Sequence, residues 1–494
     1  MSRPDPTRTP VLVGVGQSIE REQLVSVVDL TERASRNAFE DAPGLADGIE
    51  RITTLSVVFS PCSKTPSSEL AARLGLSPAR CESSTAGGNT PQWLVTRAAD
   101  DIAAGRLTTT LIVGAEATRS MRAANPEADF MSAVLANRNR EGKADPVVGL
   151  EMKRALSEAE IAAGFGRPSE VYPVFDSALA AAAGRSVAEQ RAHIGKLFAP
   201  FTRVAAANPY AWFRTELSAA EISEPSPSNR LTAEPYTKEM NSFPNVDQGS
   251  ALLLTSLARA REAGLADQCI FPWAGVTISD VSPAARRDLG DSPAIRTAAG
   301  LLFDAVDLGI DDVDWIDLYS CFPSAVQVGA KAIGLAVDDA RGLTVTGGLP
   351  FFGGPGNNYS SHAIASMALR LRESGRLGYV AGNGGYLSKH SLGIYGTEPP
   401  KQAFRSIDTA KQQAEIEASA LSIAAEASGE ATVVGGTVVY ARDGSVARAP
   451  VIAELDDGQR IVAKAEPALL ASLAGKSLVG SRVSVAGSPP VYKQ

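Results

Sequence analysis

Apolar residues in this chain fall mostly in short runs that end on glycine, separated by segments with helical spacing. Val11–Val15 (VLVGV) is such a run and reads as a buried strand that turns at Gly16. Val28–Phe39 repeats its apolar residues at helical intervals, and ITTLSVVF (52–59) reads as the next strand. The first hundred residues therefore alternate β and α, which predicts a sheet covered by helices. DQGSALLLTSLARAREAGL (247–265) returns to this pattern as a strand followed by a helix.

The pattern also echoes itself. SSTAGGNTPQWLVTRAADDIAAGRLTTTLIVGAEA (83–117) runs Gly-rich loop, helix, Gly-Arg-Leu, apolar strand, small-residue loop. TGGLPFFGGPGNNYSSHAIASMALRLRESGRLGYVAGNGG (346–385) repeats that order, and Gly-Arg-Leu recurs at 375–377. A second copy of one supersecondary unit predicts duplicated halves. In each copy a Gly-rich loop opens a helix, so backbone N–H groups and the positive dipole end face whatever binds there. The same glycines also serve tight turns and close packing.

Residues 120–245 differ in character. They are polar and irregular, with NPYAWF (208–213), EPSPSNR (224–230) and EPYTKEM (234–240), and read as an insertion carrying helices such as Ala178–Phe198. Loops of this length in compact proteins are usually lids or binding elements. Residues 401–428, rich in Ala, Gln and Glu, predict a helical connector. Beyond them, short strands turn at Asp443-Gly444 and Asp457-Gly458, which predicts a small barrel. One helix among about five strands suits an OB-like barrel. Only Tyr440 and Tyr492 are aromatic after residue 430, so the stacking platforms of a nucleic-acid barrel are missing. A protein-facing or acyl-chain-facing role fits better.

Composition narrows the class. The 494 residues allow roughly three domains of about 150 residues. With 44% hydrophobic and 21% charged residues the chain is an ordinary globular protein. A net charge of −8 disfavours a nucleic-acid partner. The four cysteines (Cys62, Cys81, Cys269, Cys321) form no C-x-x-C pair and no metal-ligand spacing, as in a reducing compartment. MSRPDPTRTP has no signal-peptide stretch, VYKQ matches no retention or peroxisomal address, and no segment has the roughly 18 apolar residues of a membrane span. The expected location is the cytoplasm, without membrane insertion.

Five motifs in order carry a family resemblance: RTPVLVGVGQ (8–17), NVDQGSALLLTS (245–256), WIDLYSCF (315–322), GGLPFFGGPG (347–356) and GNGG (382–385). In these the chain resembles the thiolase superfamily over about 8–400, and within it the sterol-carrier-protein-thiolase-like members with an added C-terminal domain. The resemblance implies an α/β thiolase fold of two duplicated βαβαβαββ halves in αβαβα layers. It places the N-terminal half at 8–119 plus 246–268, the loop domain at 120–245 and the C-terminal half at 269–400. The connector at 401–428 and an OB-like domain at 429–494 follow.

The resemblance also says where the chemistry departs. A thiolase uses a cysteine thiolate at a helix N-terminus, where the dipole lowers its pKa. That position falls on Gly88 of GGNT, with the family's neighbouring threonine matched by Thr90. The histidine that activates the thiolate falls on Gly354 of FFGGPG, and the residue holding the oxyanion-hole water falls on Tyr319 of YSCF. The second-loop cysteine position is Gly382, while Cys321 matches the acid/base cysteine of the sterol-carrier type. Glycine has no nucleophile and no titratable group, so ordinary thiolase turnover is expected to be absent or very weak.

Candidate residues follow. Tyr319 and Cys321 stand at a strand end, where groups project into the ligand crevice of α/β proteins; they equally fill the space of the lost histidine. His390, beside Lys389 after the C-terminal glycine loop, is the third catalytic candidate. His193 reads as a surface or packing residue of the insertion, and His362 as a helix-packing residue. Gly87, Gly88, Asn89, Gly353, Gly354, Asn383 and Gly384 are candidates to line an acyl-CoA crevice, with Asn357 and Asn358 in the same loops.

Two functions stay open. One is an acyl-CoA enzyme using non-covalent retro-aldol or retro-Claisen cleavage, as the resemblance to thiolase-like steroid side-chain aldolases implies. Those aldolases lack the cysteine and work with a separate OB-fold partner. The other is a non-catalytic acyl-CoA-binding or scaffolding protein of lipid or steroid metabolism. Either way no cofactor is expected beyond the CoA thioester itself, as substrate or ligand, and the chain is expected to be a monomer or homodimer.

Overall fold

The computed structural model describes residues 5–138, 142–150 and 155–493. The first four residues of MSRPDPTRTP, the last of VYKQ, and residues 139–141 and 151–154 of the insertion lie outside the described residues. The N-terminal alternation forms a six-stranded sheet in the order Pro10–Ile19, Asp247–Ser256, Thr110–Ala117, Arg51–Thr54, Arg80–Ser84, Val147–Val148. Pro10–Ile19 and Thr110–Ala117 run antiparallel to Asp247–Ser256 between them, and Arg51–Thr54 joins Thr110–Ala117 parallel.

A second sheet has the order Trp315–Asp317, Leu377–Gly384, Lys389–Gly396, Phe271–Ser279, Arg405–Ile407. Phe271–Ser279 and Leu377–Gly384 flank Lys389–Gly396 antiparallel, and Trp315–Asp317 joins Leu377–Gly384 parallel. Strand directions thus repeat between the halves, so the echo in the sequence is an echo of topology. Thr90–Ala103 and Tyr359–Glu373, the two helices opened by Gly-rich loops, pack on each other between the sheets. Val27–Asp41 covers the outer face of the first sheet and Pro293–Val306 that of the second. This is the layered αβαβα arrangement that the resemblance implies.

Local chemistry explains where the elements depart from the sequence reading. Val27–Asp41 starts at a capping box between Ser26 and Asp29 and buries Leu30, Ala34 and Ala38 on one stripe. The strand expected over 52–59 ends at Thr54. Val58 and Phe59 instead donate their N–H groups to the buried Glu116 carboxylate, at 2.7 and 3.1 Å, which bends the chain out of the sheet. The helix expected over 178–198 is two helices, Pro168–Ala182 and Val187–Ala207. They break where Gly184 takes a φ of +65° and Ser186, boxed with Glu189, caps the second. Of residues 401–428 only Ala410–Ala418 is helical. Arg405–Ile407 extends the second sheet, and Ile423–Ala424 already pairs with the C-terminal strands.

Those C-terminal strands close on themselves. Arg460–Ala465, Pro450–Leu455, Ala427–Gly436, Arg482–Gly487 and Val491–Lys493 pair in turn, and the last pairs back with the first. Closure leaves the five strands no open edge. Gly444 and Gly458 take φ of +86° and +85° in the two Asp-Gly turns. The barrel has its own core around Val433, Val451, Ile461, Val485 and Tyr492. It docks on the insertion through a small shared sheet of Val446–Arg448, Val439–Tyr440, Leu231–Ala233 and Tyr236–Thr237. Among the described residues no helix is long and apolar enough to cross a membrane.

Candidate functional site

The two Gly-rich loops meet between the sheets and are laced by each other's side chains. Asn357 accepts from the Gly87 N–H at 2.9 Å and donates to the Ser56 carbonyl at 2.7 Å. Ser360 donates to the Gly88 carbonyl at 2.6 Å, and Asn89 donates to Ser391 at 3.1 Å. A third loop, at the end of Leu377–Gly384, closes the cluster. A Cβ on Gly384 would lie 2.7 Å from Asn89 Oδ1 and 3.1 Å from the Gly88 nitrogen. Gly87, Gly88, Asn89, Asn383 and Gly384 therefore share one place with Tyr319 and Cys321. Gly353 and Gly354 lie alongside, against Gln248 and Ser242, and the Ser242 N–H donates to the Cys321 carbonyl at 3.0 Å.

Gly88 and Gly354 do not face empty space. A Cβ on Gly88 would fall inside the 3.0 Å that real Cβ atoms essentially never breach, against both the Tyr319 hydroxyl and the Asn383 carbonyl oxygen. A Cβ on Gly354 would do the same against Ser242 Oγ. Neighbours occupy the volume where the resemblance places a nucleophile and a base. A cavity of about 20 Å³, lined in part by Tyr319, Gly382, Asn383 and His390, remains beside them. That is room for about one water.

Burial sets the protonation states. The Cys321 thiol, 7% exposed and 3.8 Å from Asn383 Nδ2, is pushed up to about 12 by desolvation, so it carries no thiolate at neutral pH. Tyr319 sits edge-on to Tyr359, with ring centroids 5.4 Å apart, and burial raises its hydroxyl well above the usual range. Beside it the buried Asn89 Oδ1 and Asn383 Oδ1 have no hydrogen-bond partner among the described residues.

His390 lies opposite Asn383 in the sheet register. Its Nε2 is 3.1 Å from the Leu387 carbonyl and 4.0 Å from Asp280, and burial pushes it down to about 4. Lys389 is its neighbour on a strand, so the two side chains point to opposite faces. His362 is enclosed, with Nδ1 2.7 Å from Gln17 Oε1 and Nε2 3.1 Å from Asn358 Nδ2, and is pushed down to about 3 by burial. Both rings are neutral. His193 lies on Val187–Ala207, half-buried, away from this cluster.

One residue of the site escaped the sequence reading. Tyr172, on Pro168–Ala182, accepts from Asn383 Nδ2 and from the Leu387 N–H, each at 3.0 Å, and donates to the Gly385 carbonyl at 3.3 Å. Its ring stacks on Phe322 at 4.5 Å. Pro168, a favoured residue at a helix start, was the available signal, but only long-range packing aims Tyr172 at the glycine loop. As it stands, the arrangement can donate a hydrogen bond from a neutral hydroxyl and has no anionic nucleophile.

Structural comparison finds the chain similar to a monomeric SCP2-thiolase-like protein type 1 from Mycobacterium smegmatis. That protein is 33% identical over 99% of both chains, with a TM-score of 0.84. Human mitochondrial 3-ketoacyl-CoA thiolase in complex with CoA is 14% identical over 79% of this chain and 98% of its own, TM-score 0.57. An Ltp2–ChsH2(DUF35) aldolase is 18% identical over 79% and 98%, TM-score 0.59. At those two identities the likeness is one of fold alone. No protein-family model matches the chain, and neither does any curated protein. A relative 33% identical along nearly the whole of both chains, on the same doubled fold, makes this chain a member of the SCP2-thiolase-like proteins of the thiolase superfamily.

Proposed function

We propose that the protein is a non-covalent member of its family, which binds an acyl-CoA or a related thioester between its two halves and forms no acyl-enzyme. The observation that carries this is at Gly88, where the nucleophile is missing and its space is held by Tyr319 and a backbone carbonyl. The remaining groups agree. Gly354 offers no base, Cys321 keeps its proton, and His362 and His390 are buried and neutral. Support for a thioester ligand comes from the fold neighbour bound to CoA. Unpartnered polar atoms on Asn89 and Asn383 beside the Tyr319 hydroxyl are a further support, since buried polar groups ordinarily find a partner. The expected role is that of a binding or scaffolding protein of lipid metabolism.

A thermal-shift series over acyl-CoAs tests the binding. A genuine ligand at about 100 times its Kd adds roughly 2.7 kcal/mol of stability. No shift with any chain length would overturn it.

Tyr319 favours a second reading, retro-aldol cleavage of a β-hydroxyacyl thioester. In that step the Cα–Cβ bond breaks, the β-hydroxyl gives up its proton as the carbonyl product forms, and a proton returns to Cα of the shortened thioester. A neutral hydroxyl can donate to a carbonyl oxygen as negative charge develops there. The fold likeness to an aldolase is in keeping with it. Release of free carbonyl product from a β-hydroxyacyl-CoA, lost in Tyr319→Phe, would decide for this reading; product at the same rate in that variant would exclude the role of Tyr319.

A further inference from the structure

The barrel and the closed crevice are joined by one helix. On one side of Pro168–Ala182, Arg448 of the barrel pairs with Glu170, whose side chain is 7% exposed, and the Gly436 N–H donates to Ser177 at 3.0 Å. A Cβ on Gly435 would overlap Leu289 Cδ1 and lie 2.9 Å from Val174 Cγ1, so the strand runs close against the helix. The neighbouring Glu234 accepts from Tyr440 at 2.6 Å and, through its carbonyl, from Thr437 at 3.0 Å. On its other side the same helix carries Tyr172, which holds Asn383, Gly385 and Leu387 and lies against Phe322. Meanwhile the closed crevice leaves Asn89 Oδ1 and Asn383 Oδ1 buried without partners.

We propose that the barrel is a latch, which holds Pro168–Ala182 where Tyr172 closes the crevice over Cys321 and Asn383. Loss of the barrel contact releases the glycine loop and admits a ligand. Glu170 lies in the first turn of the helix, where its charge favours the dipole, so the helix itself survives loss of Arg448. The inference rests on the reading of this crevice as the ligand site, but its test needs no ligand.

Cys321 is the reporter. It is 7% exposed, and Cys269, 3% exposed in another core cluster, serves as internal control. Full-length protein is treated with iodoacetamide, and each cysteine is followed by peptide mass spectrometry. When opening is fast relative to alkylation, the rate follows the open population. Arg448→Met is expected to speed alkylation of Cys321 about tenfold while leaving Cys269 unchanged, because it strands a buried carboxylate. Tyr172→Phe, with every barrel contact intact, is expected to do the same, because it leaves the Leu387 N–H unsatisfied. The double variant should react no faster than Tyr172→Phe alone, since both act through one contact. An unchanged Cys321 rate, equal acceleration at Cys269, or additive single effects would each overturn the latch. Failure of acyl-CoA binding with these rates as expected would overturn the ligand reading and leave the latch standing.

Discussion

Replacing Gly88 by cysteine puts a thiol where the resemblance places the thiolase nucleophile, and the structure says what it costs. The new Cβ would overlap the Tyr319 hydroxyl oxygen, the ring carbon that bears it, and the Asn383 carbonyl oxygen. Tyr319 is 8% exposed and lies edge-on to the fully buried Tyr359, so its ring has little space to leave. Asn383 O is backbone, in a strand paired to Lys389–Gly396, and cannot rotate away. Overpacking of this kind costs about 1–3 kcal/mol, and a rigid neighbour puts Gly88→Cys near the top of that range. At about 2.1 cal/mol/K per residue, 494 residues convert ~3 kcal/mol into a Tm lower by roughly 3 °C. Gly88→Ala should lose as much, since the clash begins at Cβ. Tyr319→Leu removes one of the two obstacles, so Gly88→Cys/Tyr319→Leu should be more stable than the sum of its singles by ~1–2 kcal/mol. Calorimetric scans of the four proteins measure this. Thiolysis of acetoacetyl-CoA, assayed in parallel, should stay near background in both cysteine variants, because Gly354 supplies no base. An unchanged Tm for Gly88→Cys, strict additivity in the double variant, or rapid thiolysis from the single change would refute the reasoning.

Incubation with acetyl-CoA should leave the intact mass unchanged, and an acetyl adduct lost in Cys321→Ser would show a nucleophile other than the one assigned. The depressed pKa of His362 makes stability depend on pH with a definite sign. Its folded value of about 3 lies below the unfolded value of about 6.5, so its contribution is present above pH ~6.5 and is lost as pH falls toward 3. His362→Gln should flatten the fall of urea midpoints between pH 6.5 and 4.5, and parallel slopes for the two proteins would contradict this. Removing residues 420–494 strips the barrel from Pro168–Ala182 and should lower Tm and speed Cys321 alkylation; unchanged values for both would make the barrel an independent appendage.

The sequence by itself determined what short-range pattern controls. Gly-Arg-Leu after a helix, twice, predicts a doubled topology because strand and helix periodicity are local properties. Asp443-Gly444 and Asp457-Gly458 mark the barrel turns because only glycine readily takes the positive φ found there. The early end of the strand at Thr54 was hidden, since the carboxylate that bends residues 58–59 belongs to Glu116 on another strand. The break at Gly184 was written locally, in a glycine followed by a Ser-x-x-Glu cap, yet the apolar run through it masked the signal. The site depended most on tertiary structure. Glycine at 88 and 354 says that a side chain is absent, but an absent side chain leaves either a hole or a neighbour. Which of the two follows from Tyr319, Asn383 and Ser242, brought together by packing across both halves and the insertion. Tyr172 became part of the site in the same way. Its hydrogen-bond partners Asn383 and Leu387 are 211 and 215 residues further along the chain, and no periodicity spans that distance.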